Sequence, residues 1–137
     1  MNFDEARRAI KRSDVGRLRE ALKKGFDVNL CNQYGWTLLM LTALAGNTRI
    51  SRVLIDAGAD LTSRNRFGDT ALSLAAFAGH PSLFCMLLAS GAALDCQPFG
   101  SDFADYLDWV TKYSGQSART ISKIHMLFEA ERARRDG

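Results

Sequence analysis

The sequence predicts an all-α solenoid, a stack of helix-turn-helix units joined by short hairpin loops. Three observations carry that expectation. Gly25, Gly58 and Gly91 stand 33 residues apart, and Gly35 and Gly68 keep the same interval. A period of this length marks stacked repeats, in which no unit can bury its apolar face alone. The clearest copy, Gly68 to Leu94, reads GDTALSLAAFAGHPSLFCMLLASGAAL, and its elements recur upstream. Finally, apolar residues make up 47% of the 137-residue chain and charged residues 24%, an ordinary globular balance.

The match extends beyond the period. The segment GDTALSLAAFAGH resembles the ankyrin pattern G-x-T-P-L-H-x-A-A-x-x-G-H, and LLASGAAL follows where that family has L-L-x-x-G-A-D-V. The resemblance is strong from about 14 to 94 and weak at both ends.

Taken in order, residues 1–31 keep only the second half of the unit and read as a capping repeat. Ala9, Ile10, Leu18, Ala21 and Leu22 can form an apolar stripe, and the basic residues around them leave the other faces polar. A terminal repeat needs such a surface because one side has no neighbour. Asp14 is placed to cap the second helix, and Gly25 to end it in the left-handed region.

Residues 32–64 form the first full repeat. Leu38 and Met40 replace the proline and histidine of the family pattern, giving up polar contacts while keeping apolar packing. Residues 65–96 form the second. Thr70 begins its inner helix, Gly79 ends it, and Pro81 stands in the first turn of the outer helix, where its missing N–H costs little. Leu83, Met86, Leu87 and Leu88 are its expected buried face. Residues 97–137 are a degenerate closing repeat if Gly100 answers Gly68. Its outer helix, about 117–134, repeats Ile121, Ile124, Leu127 and Phe128 at three and four residues. With polar caps at both ends, the chain is expected to be one domain and a short complete stack without an effector domain.

Several function classes lose support. No stretch of 18 apolar residues suggests a membrane span, and the amino terminus lacks the apolar core of a secretion signal. Three cysteines, Cys31, Cys85 and Cys96, show no C-x-x-C spacing, which argues for reduced thiols and a cytoplasmic location. Asp102, Asp105 and Asp108 share a helical face that could surround a cation, but helix capping and solvation explain them without one. His80 belongs to the Gly-His pair of the repeat and reads as structural; His125 has no catalytic partner at a recognisable spacing. The basic ends RRAIKR and RARR are interrupted by acidic residues and fit solvated caps better than a nucleic-acid surface. The expectation is a non-enzyme without metal or cofactor.

The resemblance implies a concave surface, made by hairpin tips and inner helices, that binds other proteins. Carried over by position, Tyr34 and Trp36 belong to that row in the first repeat, with Gln33, Leu44 and Ala45. Arg64, Arg66, Phe67, Asp69 and Phe77 belong to it in the second, with Ala78. Phe99 and Trp109 continue it in the closing repeat with Ser101 and Val110, and Lys11 and Arg12 extend it from the first cap. Two readings of the aromatics stand. Tyr34, Phe67 and Phe99 pack hairpin on hairpin while Trp109 is buried, or the set forms a binding face rich in the residues that dominate interfaces. The second implies a partner with an acidic surface and an apolar centre, bound by a chain that is a monomer by itself. An inhibitor or immunity protein that occludes a toxin or enzyme is the alternative form of the same function.

Overall fold

The computed structural model describes residues 1–94 and 103–137. Among them, four helix pairs succeed one another: α1 (Phe3–Lys11) with α2 (Val15–Lys23), α3 (Leu38–Ala45) with α4 (Thr48–Asp56), α5 (Ala71–Ala78) with α6 (Pro81–Ala89), and α7 (Phe103–Tyr113) with α8 (Ala118–Asp136). Inner helices α1, α3, α5 and α7 pack side by side, and outer helices α2, α4, α6 and α8 form a second row behind them. This is the all-α solenoid expected from the period.

Local chemistry sets the helix ends. The Thr37 and Thr70 hydroxyls accept hydrogen bonds from the Met40 and Ser73 amides, each at 3.2 Å, starting α3 and α5. Gly46 and Gly79 stop the same helices at φ 73° and 76°, a region costly for any residue with a Cβ. Asp14 caps α2 and Asn47 caps α4, while Pro81 opens α6 without needing an amide donor.

The hairpins repeat one polar device. Asn32 Oδ1 accepts from the amides of Tyr34 and Trp36, and Asn65 Oδ1 accepts from those of Phe67 and Asp69, at 2.9–3.0 Å. The device uses only the oxygen, so asparagine serves where the family pattern often has aspartate. Adjacent hairpins are tied by the Arg66 amide donating to the Tyr34 carbonyl at 2.9 Å.

Leu38 and Met40, the departures from the family pattern, are both buried, as are Leu83, Met86, Leu87 and Leu88. Full burial of such side chains contributes about 1.5–3 kcal/mol each. Thr42 and Ser51, two polar residues in this core, are paired: Ser51 donates to Thr42 Oγ1 at 2.7 Å, and Thr42 to the Leu39 carbonyl at 2.9 Å.

The closing pair differs from the others. Helix α7 has eleven residues where α3 and α5 have eight, and Phe103 stacks on Phe128 with centroids 5.1 Å apart. Helix α8 runs on along α6, and Arg135 donates to the carbonyls of Ala92 (2.7 Å) and Leu88 (3.1 Å). Leu88 lies in the last turn of α6 and Ala92 just beyond it, where carbonyls run short of backbone donors and a cation is favoured. Arg135 therefore departs from the purely solvated role expected of the RARR segment.

Candidate functional site

Positions equivalent in the repeat build a groove on the inner-helix face. Trp36 and Asp69 occupy one position of successive hairpins; Leu44 on α3, Phe77 on α5 and Trp109 on α7 occupy another. Together with Leu74 and Tyr106 they enclose about 260 Å³. Five residues of the row read from the sequence, Trp36, Leu44, Asp69, Phe77 and Trp109, are thus brought to one place. Leu74 and Tyr106 were not among the residues read from the sequence.

The groove wall is an aromatic ladder. Phe77 stacks on Trp109 with centroids 5.9 Å apart, Trp109 on Tyr106 at 6.0 Å, and Tyr113 tilts against Trp109 at 5.5 Å. Tyr106 is held in place by its hydroxyl, which donates to the Ser73 carbonyl at 3.0 Å. Trp109 remains 40% exposed, so the closing repeat does not bury it.

Among the described residues, Asp69 is the only acidic or basic side chain lining this groove. Burial raises its carboxyl above the ordinary value, and hydrogen bonding from Ser73 and Asn65 opposes part of that rise. The Ser73 contact is 3.3 Å, while Asn65 Nδ2 reaches full hydrogen-bond geometry with none of the described residues. No described lysine or arginine forms an ion pair with Asp69.

The hairpin tips carry the remaining predicted residues. Tyr34 and Phe67 are 46% and 56% exposed, and the Arg66 guanidinium lies 5.9 Å from the Tyr34 ring centroid. Arg64 is exposed on the loop leading to the second tip. Phe99 and Ser101 lie outside the described residues.

Lys11 does continue the row: with Arg7, Arg8 and Ile10 it faces Leu41 and Ala45 across a second groove, of about 390 Å³, between α1 and α3. Arg12 instead sits near Glu5, Asp14 and Arg17. Val110 corrects the expected row more sharply. It is fully buried, because it follows Phe103, Tyr106 and Leu107 at seven, four and three residues and so shares the buried face of α7.

Other candidates resolve as structural features. His80 Nε2 lies 3.1 Å from the Leu44 carbonyl, joining the turn of one repeat to the inner helix of the preceding one. His125 contacts Thr111. Asp105 and Asp108 are exposed, Asp102 lies outside the described residues, and no group of three metal-ligating side chains occurs among those described. Cys31 and Cys85 are free and exposed, and Cys96 is outside the described set. No described helix is long and apolar enough to cross a membrane.

Comparison with known proteins agrees with this architecture. A family model described as ankyrin repeats, in three copies, matches residues 8–98. Among similar curated proteins is "Ankyrin repeat, SAM and basic leucine zipper domain-containing protein 1" of Colobus guereza, 39% identical over 55 residues, covering 40% of this chain and 12% of that protein. The protein of the same description from Equus caballus is 40% identical over 52 residues, covering 38% and 11%. The chain thus spans about an eighth of the length of these relatives. Ankyrin repeats are generally protein-protein interaction modules and typically non-catalytic. From the 33-residue period, the paired helices and the family match over most of its length, the chain belongs to the ankyrin repeat family.

Proposed function

We propose that this chain binds a protein partner through its concave face and performs no catalysis. The observation that carries the reading is the groove in which Trp36, Phe77 and Trp109, from three successive repeats, meet on one surface beside Asp69. Aromatic anchors of this kind dominate interface energies, with truncation of a hot-spot residue costing about 2 kcal/mol or more. Tyr34, Arg64, Arg66 and Phe67 on the hairpin tips extend the face, and Phe99 is assigned to it by sequence position. Arg64 and Arg66 at the tips and Lys11 on α1 favour a partner whose surface is acidic around an apolar centre.

In this reading residues 1–137 act as one domain, with repeats at 32–64 and 65–96 between caps at 1–31 and 97–137, and the free chain is a monomer. The exposed thiols Cys31 and Cys85 suit a reducing cytoplasm. No nucleic acid, membrane or cofactor takes part. Occlusion of a toxin or enzyme is the inhibitory form of the same binding, recognised by a one-to-one complex that abolishes the partner's activity.

The test is affinity capture from the native host with the wild-type chain and a variant carrying Trp36→Ala, Phe77→Ala and Trp109→Ala. Partners lost with the variant support the concave face. Because Phe77 and Trp109 stack on each other, a second variant, Tyr34→Ala with Phe67→Ala, alters the exposed tips alone. Equal capture by all three folded proteins overturns the reading.

A further inference from the structure

We infer that the groove between α3, α5 and α7 receives a single cationic side chain, lysine or arginine, of the protein partner, its charge meeting Asp69 and its methylenes lying on Phe77 and Trp109. This rests on the concave-face reading above and deepens it by placing one cation, with its apolar stem, at the centre of the otherwise acidic partner surface.

Charge complementarity points to a cation. Among the described residues, Asp69 alone of those lining the groove is acidic or basic; it is half-buried and has no ion-pair partner there. A partly desolvated carboxylate gains most from a counter-charge that arrives with its own hydrogen-bond donors. The walls favour the same occupant. Cations are attracted to the faces of aromatic rings, tryptophan most strongly, and the long stems of lysine and arginine pack on apolar surface while the charged end stays polar. Trp36, Phe77 and Trp109 supply both kinds of surface.

The same face uses this chemistry elsewhere: Lys112 Nζ lies 5.3 Å from the Tyr113 centroid at one end of the ladder, and Arg66 sits near Tyr34 at the tips. Size narrows the occupant further. Pockets for small organic ligands span about 300–1,000 Å³, whereas this one encloses about 260 Å³, which suits one inserted side chain. The groove between α1 and α3 provides the contrast, since its rim of Arg7, Arg8 and Lys11 repels a cation. The two grooves therefore fix an orientation, placing the partner's basic residue over α5 and α7 and its acidic residues toward α1.

The experiment selects a random peptide library displayed on phage against the full-length chain and measures the enriched peptides by fluorescence polarisation. We expect each to contain a lysine or arginine whose replacement by methionine weakens binding about tenfold or more. Asp69→Asn should shrink that difference to less than threefold while leaving the far-UV circular dichroism unchanged, and Lys11→Glu should leave it intact. Phe77→Leu, which keeps an apolar side chain on α5, should weaken the lysine peptide more than its methionine counterpart. Enriched peptides that ignore the replacement, or a preference unchanged in Asp69→Asn, overturn the cation assignment while sparing the concave face. If no peptide is enriched, or enriched peptides bind the Trp36→Ala, Phe77→Ala and Trp109→Ala variant equally, the concave-face reading fails and this inference with it.

Discussion

Replacing Gly46 by alanine tests how tightly one repeat is locked to the next, and with it the placement of Leu44 in the groove. Two costs add. Gly46 has φ 73°, and placing an L-residue in this left-handed region costs roughly 1–2 kcal/mol. A Cβ there would also stand 2.5 Å from His80 Cε1 and Nδ1, too close for the ring to remain. Moving the ring breaks its 3.1 Å hydrogen bond with the Leu44 carbonyl, a loss of about 1 kcal/mol. The total is about 2–3 kcal/mol, read as a shift in ΔG from urea unfolding followed by far-UV circular dichroism. A double-mutant cycle separates the two contributions. In a His80→Ala background the clash and the hydrogen bond are already gone, so Gly46→Ala should cost only the backbone share, about 1–2 kcal/mol. Equal costs in both backgrounds would refute the clamp, and a neutral Gly46→Ala would refute both parts of the argument. Gly79→Ala serves as the companion measurement. There the obstructing atoms belong to the flexible end of Gln116, which can swing aside, leaving mainly the backbone cost.

Two further predictions concern the closing helix. Arg135→Ala should destabilise the chain by about 1.5–3 kcal/mol, the range for hydrogen bonds made by a charged group, because the Ala92 carbonyl loses its guanidinium donor and the Leu88 carbonyl is left with the Gly91 amide; thermal unfolding with α6-α8 packing followed by hydrogen exchange is the check. Glu131 is held down to about 2, from an ordinary 4.5, chiefly by hydrogen bonds from Arg134 and then Arg135. A carboxyl depressed on folding stabilises the folded state fully above its unfolded value, so this contribution should fade as pH falls from about 4.5 toward 2. Subtracting the unfolding curve of Glu131→Gln from that of the wild type should isolate the decline, and parallel curves across this window would rule the contribution out.

What could be read from the sequence follows from the range of each interaction. Thr37, Thr70 and Asp14 cap helices through bonds spanning three residues, and Gly46 and Gly79 act through their own φ. Such features are local, so residue type and spacing reveal them. Tyr106 reaches Ser73 across 33 residues, and Arg135 reaches Ala92 across 43. Nothing in the immediate neighbourhood of either residue marks the distant carbonyl it serves. Val110 departs from the row because it falls on the buried face of α7 with Phe103, Tyr106 and Leu107, in a helix that extends to Tyr113. The extension also lets Gln116 stand over Gly79 as His80 stands over Gly46, a correspondence hidden by the changed spacing.

The groove itself depends on departures from repetition. Along one row of equivalent positions the side chain grows from Leu44 to Phe77 to Trp109, while along another it falls from Trp36 to the small, charged Asp69. Identical repeats would place equal bulk at every step, giving a uniform ridge and no place for an inserted group. Opposed gradients instead leave a recess between Trp36 and Phe77, walled by Trp109 and bordered by a carboxylate. The regular part of each repeat, from Thr70 to Ala76 for example, holds the inner helices close enough for these side chains to meet. In the proposed reading, stability and selectivity fall largely to different residues of the same helix, with buried Leu74 serving both. Substitutions on the groove-facing side can change what binds without loosening the core beneath, provided they leave the hydroxyl cap, the terminal glycine and the buried alanines of α5 untouched.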